Sequence, residues 1–480
     1  MAIGTPRLVI AGLSGDSGKT IVSLSLLTAL RQKGLSISVF KKGPDYIDAA
    51  WLGKASGTIC RNLDTYLVDS NDVYRNFVIN SIGSDITIIE GNRGLFDGKD
   101  TAGTHSTASL ARLLGAPIIL VIDVTKATRT IAALIKGCLD FESGLNIAGV
   151  ILNNIASERH KKIIAESVKT YCNLPILGAV PKLTSDDSII PGRHLGLVPP
   201  TEIDSDTALD KKLAQIAEQY LDLKALLEIA ASAEPVENPE EIPSEKAATK
   251  VKVGYFRDSV FTFYYPENLE ALKRAGADVV RISSVEDKHL PDVDALYIGG
   301  GFPETQADKL AENKSMQESV KLAAENGIPI YAECGGLIYL SRSIKWKDNC
   351  YPMTGLFPID LQMHDKPVGH GYTRLRVDKT NPFYKTGDII KGHEFHYSGP
   401  VLINKNIDDC MEVQSGFGLG KKRDGLVFKN TLACYTHIHA DGVKDWAPVL
   451  VEKALKYKCN REDDEPRNFR GKIAKATMAA

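Results

Sequence analysis

The stretch RLVIAGLSGDSGKT, residues 7–20, decides the fold of the first half of the chain. Its apolar start predicts a buried β-strand, and helical spacing follows over Ile21–Lys33. Backbone N–H groups at such a glycine-rich turn, together with the N-terminus of the next helix, can surround phosphate oxygens. The sequence therefore predicts a phosphate-binding turn formed by Gly12, Gly15, Ser17, Gly18, Lys19 and Thr20.

Lys19 and Thr20 give this turn its chemical interpretation. The lysine would place a positive charge against the β- and γ-phosphates of ATP, and the threonine hydroxyl would bind Mg²⁺. The spacing departs from the usual motif, because five residues separate Gly12 from Gly18 where four are usual. The alternative is a strand-to-helix turn that carries a lysine by chance. The strand before it and the helix after it favour phosphate binding.

Short apolar runs alternate with helical stretches in both halves. Continuous apolar strands are typical of parallel sheets that are covered on both faces. The predicted strands of the first half are Arg7–Ala11, Ser36–Phe40, Ile86–Ile89, Ile118–Ile122 and Ala148–Leu152. Those of the second half are Lys252–Tyr255, Asp278–Ile282, Ala295–Ile298 and Ile328–Ala332. The sequence predicts an α/β protein with two open sheets, the second richer in strand and turn signals from Met353 to Cys434.

A polar segment separates the two halves. Residues 228–250 contain three prolines, many acidic residues and no aromatic residue, a composition that predicts an exposed linker. We therefore expect a first domain at 1–227, a second at 251–458, and a charged, loosely ordered tail at 459–480.

The composition excludes several classes of protein. Lys and Arg number 58 against 60 Asp and Glu, so the chain lacks the positive charge of a dedicated nucleic-acid or polybasic membrane binder. The longest apolar run, Ala116–Val124, is far shorter than the roughly 20 residues that span a bilayer. Residues Met1–Thr5 lack the features of a secretory signal. We expect a cytoplasmic protein with neither a nucleic-acid nor a membrane partner.

Acidic residues follow the next two strands of the first half, in KKGPDYID and EGNRGLFDG. Because the carboxyl ends of parallel strands lie at one sheet edge, Asp45 and Glu90 are expected to bind the metal together with Thr20. Asp48 and Asp97 stand farther out, where a substrate would lie. A turn or helix-capping role is the alternative for each of these acids.

A second glycine-rich turn carries a cysteine. The predicted strand Ile328–Ala332 leads into ECGG, which places the Cys334 thiol on a sharp strand-to-helix turn. The helix N-terminus would favour the thiolate, and His437 could complete its activation. Backbone N–H groups of Gly300 and Gly335 could form an oxyanion hole. Spacing alone leaves a buried structural cysteine as an equal alternative.

Longer motifs carry a family resemblance. AECGGLIYL, IGGGFPE and YTHIH are similar to the class I-type glutamine amidotransferase domain of the cobyrinate a,c-diamide synthase family. FYYPENLEALKRAGA and KGHEFHYSGP resemble further motifs of that domain, and SGDSGKT, KKGPDYID, RNLD and EGNRGLFDG resemble the family's ATP-dependent amide-forming domain. The resemblance runs from Leu8 to Val451, with the motifs in the same order. It implies a dethiobiotin-synthetase-like P-loop domain followed by an amidotransferase domain.

The resemblance also implies a reaction. Members of the family use ATP and glutamine to convert the a and c acetate side chains of a tetrapyrrole-derived macrocycle to amides. Cys334 would attack the glutamine amide with His437 as its base, and the released ammonia would react with a substrate carboxylate activated as an acyl phosphate. Tyr46, Asp48 and Asp97 would bind or orient the macrocycle. A homodimer is a further expectation from the family.

The chain departs from related enzymes at its histidines. Many class I amidotransferases place a glutamate two residues after the catalytic histidine, but His439 stands there, so the sequence assigns no third member of a triad. A structural role is the favoured interpretation of His439. His393 and His396 have a spacing that could hold a metal, although a hydrogen-bonded polar network is the favoured interpretation.

The sequence leaves two macrocycles as candidate substrates. Cobyrinic acid and nickel-sirohydrochlorin share the a and c acetates, and a branch of the family in methane-forming archaea is associated with the nickel compound. The segment after GPDYID, residues 49–52, departs from many relatives and is expected to touch the macrocycle. The candidates for basic contacts to its carboxylates are Lys41, Lys42, Arg61 and Arg93.

Two other assignments compete with this one. Cobyric acid synthase shares both halves and amidates other carboxylates of the ring, but the GPDYID and HEFHYS motifs favour the a,c-diamide branch. A ParA-like ATPase switch would carry a signature lysine five positions before Lys19, where this chain has Ser14. Such a switch would also have no use for the half that contains Cys334 and His437.

Overall fold

The computed structural model describes residues 2–183, 192–193, 196–202, 207–237, 250–402 and 408–477. The chain divides into two compact units, Met1–Glu241 and Ile242–Ala480. This division falls inside the segment 228–250 that the composition predicts as a linker.

The first unit alternates strands and helices. Its strands are β1 (Ala2–Ile3), β2 (Arg7–Gly12), β3 (Ile37–Lys42), β4 (Cys60–Leu63), β5 (Ile86–Glu90), β6 (Ile118–Asp123), β7 (Ile147–Ile155), β8 (Ile176–Pro181), β9 (Gly192–Arg193), β10 (Gly196–Leu197) and β11 (Val236–Glu237). Its helices are α1 (Lys19–Gln32), α2 (Tyr46–Ser56), α3 (Ser70–Ser81), α4 (Thr107–Leu113), α5 (Thr130–Phe141), α6 (Glu158–Cys172), α7 (Thr207–Tyr220) and α8 (Leu223–Ala231).

Seven strands in the described part of this unit form a parallel sheet in the order β4-β3-β5-β2-β6-β7-β8. All five predicted strands belong to it. The sequence missed β4, which is short and half polar, and β8, which contains a glycine and ends in a proline. β2 lies between β5 and β6, where the strand order reverses, so the turn after β2 opens at the position where ligands bind in such sheets.

Helices bury their apolar sides against this sheet. α1 buries Leu24, Leu27 and Leu30 completely, in a core that also includes Leu213 and Ala217 of α7. The predicted linker is partly ordered, because its first residues belong to α8 and β11 pairs with β1. Residues 238–249 of that linker lie outside the described residues.

The second unit is richer in strands. They are β12 (Val251–Phe256), β13 (Phe261–Phe263), β14 (Ala277–Ile282), β15 (Ala295–Ile298), β16 (Gly300–Gly301), β17 (Ile330–Glu333), β18 (Ser343–Trp346), β19 (Asn349–Pro352), β20 (Asp360–Met363), β21 (Gly369–Val377), β22 (Ile389–His396), β23 (Ser398–Leu402), β24 (Asp409–Ser415), β25 (Arg423–Phe428) and β26 (Thr431–Cys434). The helices are α9 (Pro266–Arg274), α10 (Ala307–Glu312), α11 (Lys314–Glu325), α12 (Gly335–Leu340) and α13 (Trp446–Thr477).

The largest sheet of this unit has the order β14-β12-β15-β17-β26-β25-β24-β21-β22. Its pairs from β14 to β26 are parallel and the others are antiparallel, so the expected enrichment in strands after Met353 corresponds to its antiparallel side. β17 lies between β15 and β26, and its burial is complete. The turn after β17 therefore starts from a fully buried strand inside the sheet.

The last helix reaches farther than the composition predicts. α13 continues to Thr477 and includes residues 459–477, which we expected to be a loosely ordered tail. Among the described residues, none of the helices combines the length and the apolar character that a membrane span requires.

Candidate active site

The phosphate-binding turn is shaped by a residue from a distant strand. Gly18 has a φ of +91°, and a Cβ there would lie 2.0 Å from Nδ2 of Asn153 on β7. The Asn153 amide donates to the carbonyl oxygen of Ser17 at 3.1 Å. Only glycine fits at position 18, because the backbone there is left-handed and because Asn153 leaves no room for a Cβ. Sequence reasoning missed Asn153, since nothing near it in the chain marks it.

The side chain of Lys19 folds back, so that its ammonium group contacts residues of this turn. Nζ donates to the carbonyl oxygen of Ser14 at 2.8 Å and lies 3.4 Å from Oγ of Ser17. Burial, followed by the nearby charge of Lys41, lowers the pKa of Lys19. Incoming phosphate oxygens would add negative charge beside this buried cation.

Lys41 is the centre of a buried charge cluster. Its Nζ lies 2.6 Å from Oδ2 of Asp48 and 2.7 Å from Oε1 of Glu90. Burial lowers the pKa of Lys41, but the two carboxylates outweigh this and raise it above its usual range. The lysine is only 1% exposed, so the expectation that it contacts substrate carboxylates is wrong. The sheet brings Glu90 of β5 beside Lys41 of β3, and Asp48 reaches the same lysine from α2.

The expected metal ligands come together only in part. Thr20 Oγ1 donates to Glu90 Oε1 at 3.3 Å, and the other carboxylate oxygen of Glu90 is buried without a hydrogen-bond partner. Asp45 instead caps α2, because its Oδ1 accepts the Asp48 N–H at 2.9 Å. Burial, followed by the neighbouring Asp48 carboxylate, raises the pKa of Asp45 to about 7. The free oxygen of Glu90 and the hydroxyl of Thr20 are donors that suit Mg²⁺.

The expected substrate residues lie around this cluster. Tyr46 begins α2 and is half-buried, whereas Asp97 is exposed and accepts the Gly94 N–H at 2.9 Å within a turn. Lys42 is largely buried, and its pKa is lowered by burial. Arg61 is half-buried and Arg93 is exposed.

Residues 49–52 belong to α2 and not to a loop. Trp51 and Leu52 are buried in the core, and the Trp51 indole N–H donates to the carbonyl oxygen of Val198 at 2.9 Å. The expectation that this segment touches the macrocycle is therefore wrong for these two side chains. Trp51 and Leu52 lie on the side of α2 that faces the core, whereas Ala50 is exposed.

In the second unit, Cys334 occupies a strained turn between β17 and α12. Its φ and ψ are +47° and −97°, and its N–H donates to the carbonyl oxygen of Cys434 at 2.7 Å. Such backbone strain is typical of functional turns. Burial, followed by the nearby Glu304 carboxylate, raises the pKa of the thiol, and the Gly335 N–H acts in the opposite direction. The Gly335 N–H at the start of α12 therefore favours the thiolate, as expected, and burial opposes that effect.

Gly300 lies between this turn and His437. A Cβ at position 300 would lie 2.4 Å from Cε1 and 3.2 Å from Nε2 of His437. A Cβ at Gly335 would lie 3.3 Å from the Gly300 Cα and 3.0 Å from the Gly301 N. The structure thus brings together His437, the two glycines of the expected oxyanion hole and the Cys334 turn.

The lack of room for a side chain at Gly300 leads to a testable prediction. Gly300→Ala is expected to lower glutamine-supported amide formation by about 10²-fold, because its methyl group displaces the His437 ring. Ammonia-supported synthesis should stay unchanged. Gly399→Ala is the matched control, since its Cβ would make an ordinary 3.6 Å contact with Val368. Steady-state rates with each nitrogen donor provide the measurement, and equal losses with both donors would contradict the prediction.

The remaining histidines have separate environments. His393 exchanges backbone hydrogen bonds with His437, and burial, followed by His437, holds its pKa well below the usual range. His396 stacks on Tyr435, and its Nδ1 lies 2.7 Å from the carbonyl oxygen of Ser398. In the described ranges, no three His, Cys, Asp or Glu side chains are grouped closely enough to hold a metal ion. These contacts fit the expected polar network.

Comparisons with known families and proteins agree with this geometry. Residues 8–195 match the CobQ/CobB/MinD/ParA nucleotide binding domain, and residues 252–444 match the CobB/CobQ-like glutamine amidotransferase domain. The cobyrinate a,c-diamide synthase of Magnetococcus marinus is 42% identical over 93% of this chain and 96% of its own length. The chain belongs to the cobyrinate a,c-diamide synthase family.

Other relatives with the same name support the assignment. The protein from Archaeoglobus fulgidus is 39% identical over 94% of this chain and 98% of its own length. The protein from Methanosarcina acetivorans is 38% identical over 95% of this chain and 97% of its own length. The recognised family, the two-domain α/β fold and the enzyme class, a ligase with a glutamine amidotransferase domain, are confirmed. Family membership also supports a nucleotide-binding first unit.

One further residue of this site escaped the sequence analysis. Glu333 is completely buried beside Cys334, and its Oε2 lies 3.6 Å from Nδ1 of His437. The signal that could have found it is a lone carboxylate at the end of the otherwise uncharged strand IYAE. His437 lies about a hundred residues farther along the chain, so no local pattern pairs it with Glu333.

Proposed function

We propose that this protein converts the a and c acetates of cobyrinic acid to amides, with glutamine as nitrogen donor and ATP as the source of activation. The observation that carries the proposal is the near full-length similarity to relatives named cobyrinate a,c-diamide synthase. The geometry supports it, because one unit holds a phosphate-binding turn and the other a strained cysteine turn beside a histidine.

In the proposed glutaminase step, Cys334 attacks the carboxamide carbon of glutamine. His437 takes the thiol proton as the S–C bond forms, and then gives it to the departing ammonia. The raised pKa of the Cys334 thiol supports a need for this base, because a higher pKa makes the thiol harder to deprotonate. N–H groups of Gly300 and Gly335 would stabilise the oxyanion. Water then hydrolyses the thioester and regenerates the thiol.

In the proposed amide-forming step, the first unit activates a substrate carboxylate. The turn from Gly12 to Thr20 would bind the ATP phosphates, with Lys19 against the transferred group. Transfer of that group to the carboxylate oxygen gives an acyl phosphate, which ammonia attacks to form the amide and release phosphate. Tyr46, Asp48 and Asp97 would orient the macrocycle.

Thr20, Asp45 and Glu90 would hold Mg²⁺ in this step. The ion, when bound, neutralises charge on the phosphate oxygens. The unpartnered oxygen of Glu90 supports this assignment, whereas Asp45 would need to use the oxygen that does not cap α2.

The substrate is tested with purified protein, ATP, Mg²⁺ and glutamine, together with cobyrinic acid or nickel-sirohydrochlorin. We expect mass spectrometry to show two carboxylates of cobyrinic acid converted to amides. Double amidation of the nickel compound alone would assign the enzyme to nickel-tetrapyrrole synthesis and overturn the proposed substrate. ATP hydrolysis without an amide on either macrocycle would contradict the a,c-diamide assignment and favour the cobyric acid synthase or ATPase-switch alternatives.

A further inference from the structure

The second unit contains two buried glutamate–histidine pairs with equal separations. Oε2 of Glu333 lies 3.6 Å from Nδ1 of His437, and Oε2 of Glu267 lies 3.6 Å from Nε2 of His439. All four side chains are at most 3% exposed. The pairs differ in which edge of the imidazole faces the carboxylate, and only the first pair adjoins the Cys334 turn.

The Glu333 carboxylate is fixed by two donors. Oε1 accepts the Ile438 N–H at 3.0 Å, and Oε2 accepts the Tyr297 hydroxyl at 2.9 Å. A buried carboxylate is costly unless hydrogen bonds satisfy it, so these donors hold it in one place. The oxygen that Tyr297 fixes is also the one that faces His437.

The two edges of the His437 ring face different groups. Nδ1 lies toward Glu333, while Cε1 and Nε2 lie against Gly300, which adjoins the Cys334 turn. This arrangement follows from the sheet. β17 and β26 are parallel neighbours with Glu333 opposite Cys434, and His437 follows three residues after β26 ends.

We propose that Glu333 is the positioning residue for His437. It holds the ring with a protonated Nδ1 toward the carboxylate, so that Nε2 accepts the Cys334 proton, and it stabilises the imidazolium that results. The proton passes from the Cys334 thiol to Nε2 of His437 as the S–H bond breaks and the S–C bond forms. The inference rests on the proposed roles of Cys334 and His437. The proposed carboxylate is on the residue before the nucleophile. Many related enzymes have a glutamate two residues after the catalytic histidine, and this chain has His439 at that position.

The test compares Glu333→Gln with Glu267→Gln in the full-length protein. For Glu333→Gln we expect the glutamine-supported kcat to fall by about 10²-fold with KM for glutamine unchanged, while ammonia-supported amide formation is retained. A chloroketone analogue of glutamine reports the reactivity of Cys334 as a function of pH. Its rate profile in Glu333→Gln should approach that of His437→Ala. The Glu267→Gln control should resemble the wild type in every measurement.

A double-mutant cycle separates positioning from general stability. If Glu333 acts through His437, adding Glu333→Gln to His437→Ala should cause no further loss of alkylation rate. A further loss of the same size would overturn the proposal, as would a Glu333→Gln variant with wild-type turnover and pH profile. Equal losses in Glu333→Gln and Glu267→Gln would also overturn it.

A second variant serves if Glu333→Gln does not fold. Glu333→Asp keeps a carboxylate but moves it one methylene farther from His437. We therefore expect its pH profile of Cys334 alkylation to lie between those of the wild type and His437→Ala. A wild-type profile would overturn the proposal. Retained glutamine-dependent turnover in Cys334→Ala or His437→Ala would instead contradict the proposed function, which is a distinguishable result.

Discussion

Cys334→Ala is expected to abolish glutamine-dependent amide formation, with a loss on the order of 10⁴-fold or more. The physical reason is that no other group at this turn can form the thioester. Amide formation with added ammonia should continue at the wild-type rate, because the phosphate-binding turn and its charge cluster belong to the first unit. Product amides counted by mass spectrometry with each donor provide the measurement.

A matched control for this variant lies on the neighbouring strand. Cys434 is also buried. Among the hydrogen bonds of the described residues, the Cys334 N–H donates to the backbone carbonyl oxygen of Cys434, and the Cys434 thiol bonds to other residues. Cys434→Ala should therefore retain glutamine-dependent synthesis. Loss of both donor activities in Cys334→Ala, in protein that is still folded, would contradict a separate role in releasing ammonia.

Lys19→Ala is expected to stop synthesis with both nitrogen donors, by on the order of 10²–10³-fold. The ammonium is buried at the phosphate-binding turn, and its removal leaves the transferred phosphoryl group without that positive charge. The reactivity of Cys334 toward a glutamine analogue should be unchanged. Phosphate release and amide formation, measured in the same sample, test the expectation.

Lys33 at the other end of α1 is the control for Lys19. It is half exposed and lies 3.7 Å from Glu218, so Lys33→Ala removes a lysine charge without touching the turn. Both activities should survive in that variant. Near wild-type synthesis by Lys19→Ala would remove the phosphate-binding assignment of the turn.

Much of the fold could be predicted because its signals are local. A fully buried parallel strand needs a continuous apolar run, and β2, β5 and β6 have one. β4 and β8 lack such a run and are specified by their neighbours in the sheet. Likewise, the glycines around Lys19 and Cys334 mark sharp turns in any context, and the longer motifs that include these turns carried the family resemblance.

The pairing of charges was decided by tertiary structure. The sequence made Lys41 a candidate for substrate contacts, but the pairing of β3 with β5 brings Glu90 to it, and α2 brings Asp48. Glu333 and His437 are far apart in the sequence and become neighbours because β17 pairs with β26. Spacing along a chain carries no information on such contacts.

The sequence by itself determined the fold class and the family, and it located the two glycine-rich turns that carry Lys19 and Cys334, because each of these depends on residue types at short range. Tertiary structure alone decided that burial raises the pKa of the Cys334 thiol, that Lys41 is paired with two carboxylates, and that Asn153 and Glu333 adjoin the two turns. The reason is physical. Burial and the approach of distant charges set the ionisation and the contacts of a side chain, and both arise only when the sheets assemble.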